Sequence, residues 1–299
     1  MGRRRGFGEM AQMKNKGNWR SGFESVSSFR MFYRDWRPAG GESHLPVIAL
    51  HGSLTQGGMW LATAEGIGGA RFICPDQRGY GRSKDPDDGD AAADFALDAI
   101  RLADALFIDR FTVMGHSFAG AIALQVAAME PDRVAGAVLV DPTVRTTKGA
   151  KANLRVAGER PHRFDDLKEV VRFWKKSEEG RWPVKKLSRF VKDVMDMDDE
   201  DAPCKMPFES ERLVRLRSFQ ASEADDYFPE KIAKKVKSPV LIFRGGESRR
   251  FSKEGQIKLQ GAFPQKPRVV ICPRSGHFPP VQDVELFEQN LWKFLRGAK

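Results

Sequence analysis

The chain has 299 residues, of which 41% are hydrophobic and 10% are aromatic. This length and apolar content exclude a disordered chain and suit one large domain that carries an insertion. No apolar run approaches the roughly 20 residues that a membrane-spanning helix needs, and the basic N-terminus lacks the apolar stretch of a secretory signal. The three cysteines are too few and too widely spaced for a disulfide framework or a metal site. These features predict a cytoplasmic protein without a membrane span.

The formal net charge of +10 raises the question of a nucleic-acid partner. Residues 1–20 carry six basic side chains and one acidic one, so they supply half of the excess. The remaining charges are mixed in sign, and no nucleic-acid-binding motif is recognisable. We therefore predict a basic, disordered tail over residues 1–25 and no nucleic-acid partner.

Short apolar runs alternate with helical patterns along most of the chain. The segment 29–36 mixes apolar and polar positions and is followed by a Pro-Ala-Gly-Gly turn, which predicts an edge strand. Continuous apolar runs predict strands that are buried on both faces of a parallel sheet. These runs cover residues 46–50, 71–74, 111–114, 136–140, 239–243 and 268–271.

Between these strands, apolar residues recur at helical spacing. The helices predicted on this basis cover residues 94–107, 118–129 and 284–294. Strands that alternate with helices are typical of an α/β fold, and they predict a mostly parallel, doubly wound sheet.

One long segment interrupts this alternation. Residues 144–236 contain no strand pattern but two apolar stripes at helical spacing, over residues 167–174 and 184–194. A helical cap inserted between two sheet strands accounts for this pattern. The predicted organisation is therefore a core of residues 26–143 and 237–299 with a helical cap over residues 144–236.

The motif Gly-His-Ser-Phe-Ala at residues 115–119 places Ser117 between a predicted strand and a predicted helix. It matches the nucleophile elbow G-x-S-x-G, with Ala119 in place of the last glycine. Such a tight turn requires small neighbours, because larger side chains would collide with the backbone that crosses it. The turn also puts the Phe118 N–H at a helix N-terminus, where developing negative charge is favoured. An ordinary strand–helix turn that contains a serine is the alternative for these five residues alone.

Two further segments support the elbow. His51 and Gly52 directly follow a predicted central strand, and Ser53 comes next, where the second N–H of an oxyanion hole is expected. His277 follows the last predicted strand, 160 residues after Ser117. This agrees with the chain order nucleophile, acid, base of such enzymes. We therefore predict Ser117 as the nucleophile and His277 as the general base.

From about residue 29 to residue 295 the chain resembles the α/β-hydrolase family. The motifs that carry the resemblance are His-Gly-Ser at 51–53, the segment 76–83, Gly-His-Ser-Phe-Ala-Gly at 115–120 and Gly-His at 276–277. The resemblance implies the α/β-hydrolase fold, a bracing role for the segment 76–83, and an oxyanion hole formed by the backbone N–H groups of Ser53 and Phe118. This combination of motifs is specific for the fold and weak for the substrate.

The catalytic acid departs from the usual pattern of this family. Its members commonly carry an aspartate shortly after the strand predicted at 239–243, where this chain has Arg249. A guanidinium can neither accept the imidazole N–H nor stabilise an imidazolium. Asp141, directly after the predicted strand 136–140, is one candidate for the acid, and Glu247 is another. A site without an acid, and therefore a slow or inactive enzyme, is the third alternative.

Aromatic side chains of the predicted cap suit either an apolar acyl pocket or plain helix packing. The side chains predicted to bind the substrate are Leu54, Trp60, Trp174 and Phe278. The sequence predicts neither a cofactor nor a metal.

The predicted function is that of a serine hydrolase, which cleaves a small-molecule carboxylic ester or lactone through an acyl-enzyme intermediate. Hydrolysis of a C–C bond, or other acyl hydrolysis by the same triad, is an alternative. A perhydrolase is disfavoured, because similar proteins with that activity typically have tryptophan where this chain has Ser53. Arg249 motivates the remaining alternative, a ligand-binding protein on a catalytically impaired hydrolase scaffold.

Overall fold

The computed structural model describes residues 17–298 except 87–88, 144–153, 155–156, 158–160, 178–181, 198–200 and 223–228. Within these residues, strands form an eight-stranded sheet and a small two-stranded sheet. In chain order the strands are β1 (Gly17–Val26), β2 (Phe29–Pro38), β3 (Val47–Leu50), β4 (Phe72–Pro75), β5 (Phe111–His116), β6 (Val134–Val140), β7 (Arg163–Phe164), β8 (Cys204–Lys205), β9 (Val240–Gly245) and β10 (Arg268–Cys272).

The large sheet has the strand order β1-β2-β4-β3-β5-β6-β9-β10. In the part of this order that runs from β4 through β3, β5, β6 and β9 to β10, neighbouring strands are parallel. The strand β2 pairs antiparallel with both β1 and β4. This mostly parallel sheet confirms the predicted α/β fold. Each predicted apolar run coincides with one of its strands to within two residues, because a strand covered on both faces needs a continuous apolar sequence.

The first strand, β1, corrects two predictions. The predicted disordered tail is wrong from residue 17 onward, and residues 1–16 lie outside the described part of the chain. Because β1 covers β2, the latter is an inner strand and not the predicted edge strand. Trp19 of β1 packs on Trp36 of β2 with ring centroids 5.3 Å apart. Polar and charged residues separate the few aromatic ones in this strand, which is typical of an edge strand with one exposed face.

Ten α-helices lie among the described residues, and some of them pack in two groups. They are α1 (Leu61–Ile67), α2 (Ala92–Ala105), α3 (Ala119–Met129), α4 (Leu167–Ser177), α5 (Val184–Met195), α6 (Ser210–Ser222), α7 (Pro229–Ala233), α8 (Lys253–Gly261), α9 (Pro279–Gln282) and α10 (Val284–Gly297). In one group α3 packs against α2 and α7, and in the other α10 packs against α1 and α9. Among the described helices, none has both the length and the apolar character that crossing a membrane requires.

The segment between β6 and β9 contains the helices α4, α5 and α6 and the small β7–β8 sheet. The helices α4 and α5 coincide with the two predicted apolar stripes. The sequence pattern does not predict α6, because Arg212 and Arg217 occupy buried positions on it and interrupt any apolar stripe. The short helix α7 lies inside the predicted cap range of 144–236, but it packs against α3 and α8 of the core.

Ion pairs connect the cap to the core. Asp196, at the end of α5, is 2.5 Å from Arg82 and 3.4 Å from Arg34. Arg189 of α5 lies 3.1 Å from Glu65 of α1. These contacts fix α5 against β2, α1 and the loop after β4. That loop lies at the carboxyl end of a parallel strand, the edge at which ligands bind in open α/β sheets.

Candidate active site

Ser117 lies on a strained turn between β5 and α3. Its φ is 57°, in the left-handed region that residues other than glycine rarely adopt. Gly115 has no space for a side chain, because a Cβ there would collide with the carbonyl oxygen of Ala119. A Cβ on Gly120 would lie 2.6 Å from the Cβ of Pro142. The surrounding structure therefore holds the serine in a conformation that is unfavourable by itself, as is common at functional sites.

His277 lies between Ser117 and Asp141. Its Nε2 is 2.9 Å from the Ser117 Oγ, and its Nδ1 is 2.6 Å from the Asp141 Oδ2. Burial lowers the pKa of His277 well below its usual value, and the charges of Arg250 and Arg217 act in the same direction. The imidazole is therefore neutral at neutral pH, with Nδ1–H donating to the carboxylate and Nε2 accepting from the serine hydroxyl. This arrangement can remove the proton from Ser117.

Asp141 is fully buried directly after β6, and its φ of 43° is also positive. Its Oδ1 accepts the backbone N–H of Gly245 at 2.8 Å, and its Oδ2 accepts the Ser248 hydroxyl at 2.6 Å. These bonds stabilise the charged carboxylate and fix its orientation towards His277. Glu247, the alternative acid, is exposed. The carboxylate beside the imidazole is therefore that of Asp141.

Three side chains at this site are not anticipated by the sequence patterns. The Thr143 Oγ1 lies 3.1 Å from the Ser117 Oγ, so it can donate to the serine oxygen while that oxygen donates to His277. His116 donates from Nε2 to the carbonyl oxygen of His277 at 2.8 Å, and burial lowers its pKa to about 3. Ser248 is the third. His116 and Thr143 are close in sequence to predicted site residues, and this proximity is the one signal that could have indicated them.

The ends of two neighbouring strands bring Ser53 and Phe118 to the same region. The strands β3 and β5 are parallel with Leu50 opposite Gly115, so the loop after β3 leaves the sheet beside the elbow. Phe118 is the N-terminal cap residue of α3, where the helix dipole favours a negative charge. Ser53 is buried in the neighbouring loop. The two residues predicted for the oxyanion hole thus belong to adjacent loops.

His51 holds the loop after β3 in place. Burial lowers its pKa to about 3, so the ring is neutral. Its Nδ1–H donates to the carbonyl oxygen of Gly52 at 2.8 Å, and its Nε2 accepts the backbone N–H of Gln77 at 3.0 Å. Gly52 lies so close to the elbow that a Cβ there would be 2.5 Å from the Nδ1 of His116. A larger residue at this position would separate the loop from the nucleophile.

The residues predicted to bind the substrate are all buried hydrophobic side chains. Phe278 packs on the His277 ring with centroids 5.3 Å apart, and Trp174 of the cap packs on Phe278 at 5.2 Å. Leu54 and Trp60 are buried in the hydrophobic core. Of these four side chains, Phe278 therefore contacts the imidazole directly, and Trp174 contacts Phe278. Within the described part of the chain, no three His, Cys, Asp or Glu side chains are grouped so that they could hold a metal ion.

Known proteins resemble this chain over about a third of its length. Lipase LipV of Mycobacterium tuberculosis is 37% identical over 103 residues, which are 33% of this chain and 37% of the lipase. The 2-hydroxymuconate semialdehyde hydrolase of a Pseudomonas species is 37% identical over 100 residues, which are 32% of this chain and 35% of that hydrolase. The matches span 37% to 42% of the length of the first curated relatives.

A solved structure and a family-wide comparison extend over most of the chain. The crystal structure of E-2-(acetamidomethylene)succinate hydrolase superposes with a TM-score of 0.78 at 21% sequence identity, covering 93% of this chain and 99% of that one. This likeness shows a common fold. A sequence model of the Alpha/beta hydrolase family matches residues 47–289, which include most of both predicted core segments and the whole predicted cap range. The chain therefore belongs to the Alpha/beta hydrolase family.

Proposed function

We propose that this protein is a hydrolase that uses Ser117 to cleave a small-molecule carboxylic ester or lactone through an acyl-enzyme intermediate. The observation that carries the proposal is the continuous line of hydrogen bonds from Ser117 through His277 to Asp141, at 2.9 Å and 2.6 Å. Nucleophile and base within hydrogen-bond reach, with the base oriented by a third group, is the signature of covalent catalysis by a hydroxyl.

In the proposed reaction, the Ser117 Oγ attacks the carbonyl carbon while its proton moves to the Nε2 of His277. Asp141 then stabilises the imidazolium through the Nδ1–H bond. The imidazolium gives its proton to the leaving alkoxide as the C–O bond breaks, and an acyl-enzyme remains. A water molecule then loses a proton to His277 and attacks the acyl carbon. The bond between that carbon and the Ser117 Oγ breaks as the imidazolium returns the proton to Oγ, and the carboxylic acid is released.

The backbone N–H groups of Ser53 and Phe118 would donate hydrogen bonds to the carbonyl oxygen as it becomes negatively charged. Both lie in loops that close packing holds rigid, and Phe118 adds the favourable end of the α3 dipole. Removing one such donor typically lowers kcat by about 10²- to 10³-fold. Rigid donors of this kind act without reorganisation when the charge develops, so they favour the transition state over the substrate.

C–C bond hydrolysis is a second candidate, favoured by the likeness to 2-hydroxymuconate semialdehyde hydrolase. It would use the same serine, histidine and aspartate, and the two reactions differ in the leaving group. The alternative of a catalytically impaired, ligand-binding scaffold supposes that no acid contacts the histidine. It has less support, because the Asp141 carboxylate is 2.6 Å from the Nδ1 of His277.

A fluorophosphonate probe is expected to label the wild-type protein covalently at Ser117, because the reagent reacts with a serine that an adjacent base activates. The Ser117→Ala variant should lose all labelling, and His277→Ala should slow it by at least about 10³-fold. Labelling is measured by intact mass and by digestion to locate the modified residue. The matched control is Ser28→Ala, which removes an exposed serine from the β1–β2 turn and should label like the wild type. A wild-type protein that stays unlabelled would contradict the proposal.

The acid limb of the kcat/KM profile is expected well below pH 6.5, because the pKa of His277 is lowered by burial and by the charges of Arg250 and Arg217. The base must be neutral to act, so activity is lost only as the pH falls through this lowered pKa. Arg250→Gln removes one like charge, which raises the pKa and moves the acid limb to higher pH. Arg249→Gln is the matched control at the exposed neighbouring position. A limb that does not move in Arg250→Gln would contradict this electrostatic account.

A further inference from the structure

A buried arginine of the cap reaches the loop that is proposed to form the oxyanion hole. Arg217 lies on α6 and is 8% exposed. Its terminal nitrogen Nη2 donates to the Ser53 Oγ at 2.6 Å, and its other terminal nitrogen, Nη1, donates to the Gln220 Oε1 at 2.9 Å. The guanidinium therefore lies one side-chain length from the backbone N–H of Ser53 that the proposed function uses. No step of the proposed ester hydrolysis needs a positively charged side chain at this position.

The charge of Arg217 acts on the reacting groups themselves. Together with Arg250, it adds to the effect of burial in lowering the pKa of His277. Burial raises the pKa of the Tyr80 hydroxyl, while the charges of Arg212 and Arg217 act in the opposite direction. Arg217 comes from the cap and Arg250 from the loop after β9, so two elements surround the imidazole with positive charge. Positive charge from two elements beside one site attracts anionic ligands.

Two neutral groups near Arg217 have unused hydrogen-bonding capacity. The Tyr80 Oη and the Gln220 Nε2 are buried and have no hydrogen-bond partner among the described residues. The Tyr80 ring packs on His51 with centroids 4.9 Å apart and on Phe118 at 6.4 Å, so its hydroxyl belongs to the oxyanion-hole region. An unsatisfied buried donor is unfavourable, and a ligand that accepts its hydrogen bond removes that penalty.

We infer that Arg217, Tyr80 and Gln220 form a subsite for a substrate carboxylate, so that the substrate is an ester whose acyl part carries a second, anionic carboxyl group. The planar guanidinium fork matches a carboxylate, and the neutral O–H and N–H groups complete a set of donors. Because Ser53 contacts Arg217 through its side chain and is assigned to the oxyanion through its backbone, the two carboxyl carbons must be joined by a short chain. Monoesters of succinic acid have this form. The inference rests on the proposed function, whose nucleophile and base would act on such an ester without change.

The test compares two esters that differ in charge and not in shape. They are monoethyl succinate and ethyl 4-methylpentanoate, in which two methyl groups replace the carboxylate oxygens. The wild-type kcat/KM, measured by pH-stat titration, should favour the succinate by roughly 10- to 150-fold, the ratio that a hydrogen bond to a charged group supplies. Arg217→Gln should lower kcat/KM for the succinate by about 10- to 150-fold more than for the neutral ester, so that the preference disappears. Arg215→Gln, on the same helix with its ion pairs to Asp85 and Asp90, is the matched control and should keep the preference.

Two results would overturn the inference. One is a wild-type enzyme that hydrolyses the neutral ester as well as the anionic one. The other is an Arg217→Gln variant that loses activity on both esters by the same factor, because that would indicate a role in positioning Ser53 only. If Arg217→Gln does not fold, fluorophosphonate labelling of the wild-type protein tests the inference instead. Added succinate should slow the labelling, whereas 4-methylpentanamide should not. Equal effects of the two compounds would overturn the inference. Labelling at Ser117 without a preference for anions would contradict the carboxylate subsite and leave the proposed function intact.

Discussion

Replacing Asp141 by asparagine is expected to lower kcat by about 10⁴-fold. The structure explains why so small a change should have so large an effect. The Gly245 N–H donates to Oδ1, so the carbonyl oxygen of the asparagine takes that position and its NH2 group replaces Oδ2. This NH2 group would donate to the Nδ1 of His277 and force the ring proton onto Nε2. The imidazole would then present a donor to Ser117 and could not accept its proton. Steady-state hydrolysis of an activated ester measures the loss.

The matched control for this experiment is Glu247→Gln. It makes the same chemical change at an exposed residue near the position where family members commonly carry the acid. We expect its kcat to stay within about twofold of the wild type, as for surface substitutions generally. A large loss in Glu247→Gln, together with an active Asp141→Asn, would assign the acid to Glu247 and contradict the proposed triad.

The proposed nucleophile and base are predictable from the sequence, because their requirements are local. A serine at a strand–helix turn needs small residues beside it, and the motif at 115–119 contains them. In the structure, Gly115 and Gly120 are the positions where a side chain would collide with its surroundings. His277 is predicted from its position after the last strand, which needs no knowledge of distant contacts.

The proposed acid is only partly predictable, because its position depends on the order of strands in the sheet. The strands β6 and β9 are neighbours, with Val140 opposite Phe243. An acid after either strand therefore ends beside the same histidine, and Arg249 after β9 does not prevent a complete set of contacts. The sequence leaves Asp141 and Glu247 as alternatives, since an Asp-Pro pair also ends strands for purely structural reasons.

The carboxylate subsite could not be predicted from the sequence, because it depends on a contact between distant segments. Arg217 and Ser53 are separated by 164 positions, and their contact exists only because the cap returns α6 over the loop after β3. Periodicity is uninformative on α6, since a buried arginine counts as polar in every hydrophobic pattern. The same limit applies to β1, where exposed charges hide a strand that pairs along its whole length with β2.

Stability below neutral pH is expected to depend strongly on the buried histidine of the elbow. Burial lowers the pKa of His116 to about 3, whereas an unfolded chain has a histidine pKa of about 6.5. Between these values the unfolded state binds a proton that the folded state does not, so the free energy of unfolding falls as the pH falls. The slope for one such group is about 1.4 kcal/mol per pH unit, or roughly 3 kcal/mol between pH 6.5 and pH 4.

The variant His116→Gln isolates this effect, because its amide can still donate to the carbonyl oxygen of His277 but does not titrate. Its deficit in stability relative to the wild type should shrink by about 1.4 kcal/mol per pH unit between pH 6 and pH 4, measured by urea unfolding. Asp193→Asn provides a control of opposite sign. Burial raises the pKa of Asp193 to about 6, so in the wild type its protonation favours the folded state as the pH falls. In Asp193→Asn, the free energy of unfolding should therefore fall more steeply with falling pH than in the wild type. Parallel curves for His116→Gln and the wild type would show that His116 takes up its proton equally in both states, and the elbow would then not hold a neutral imidazole.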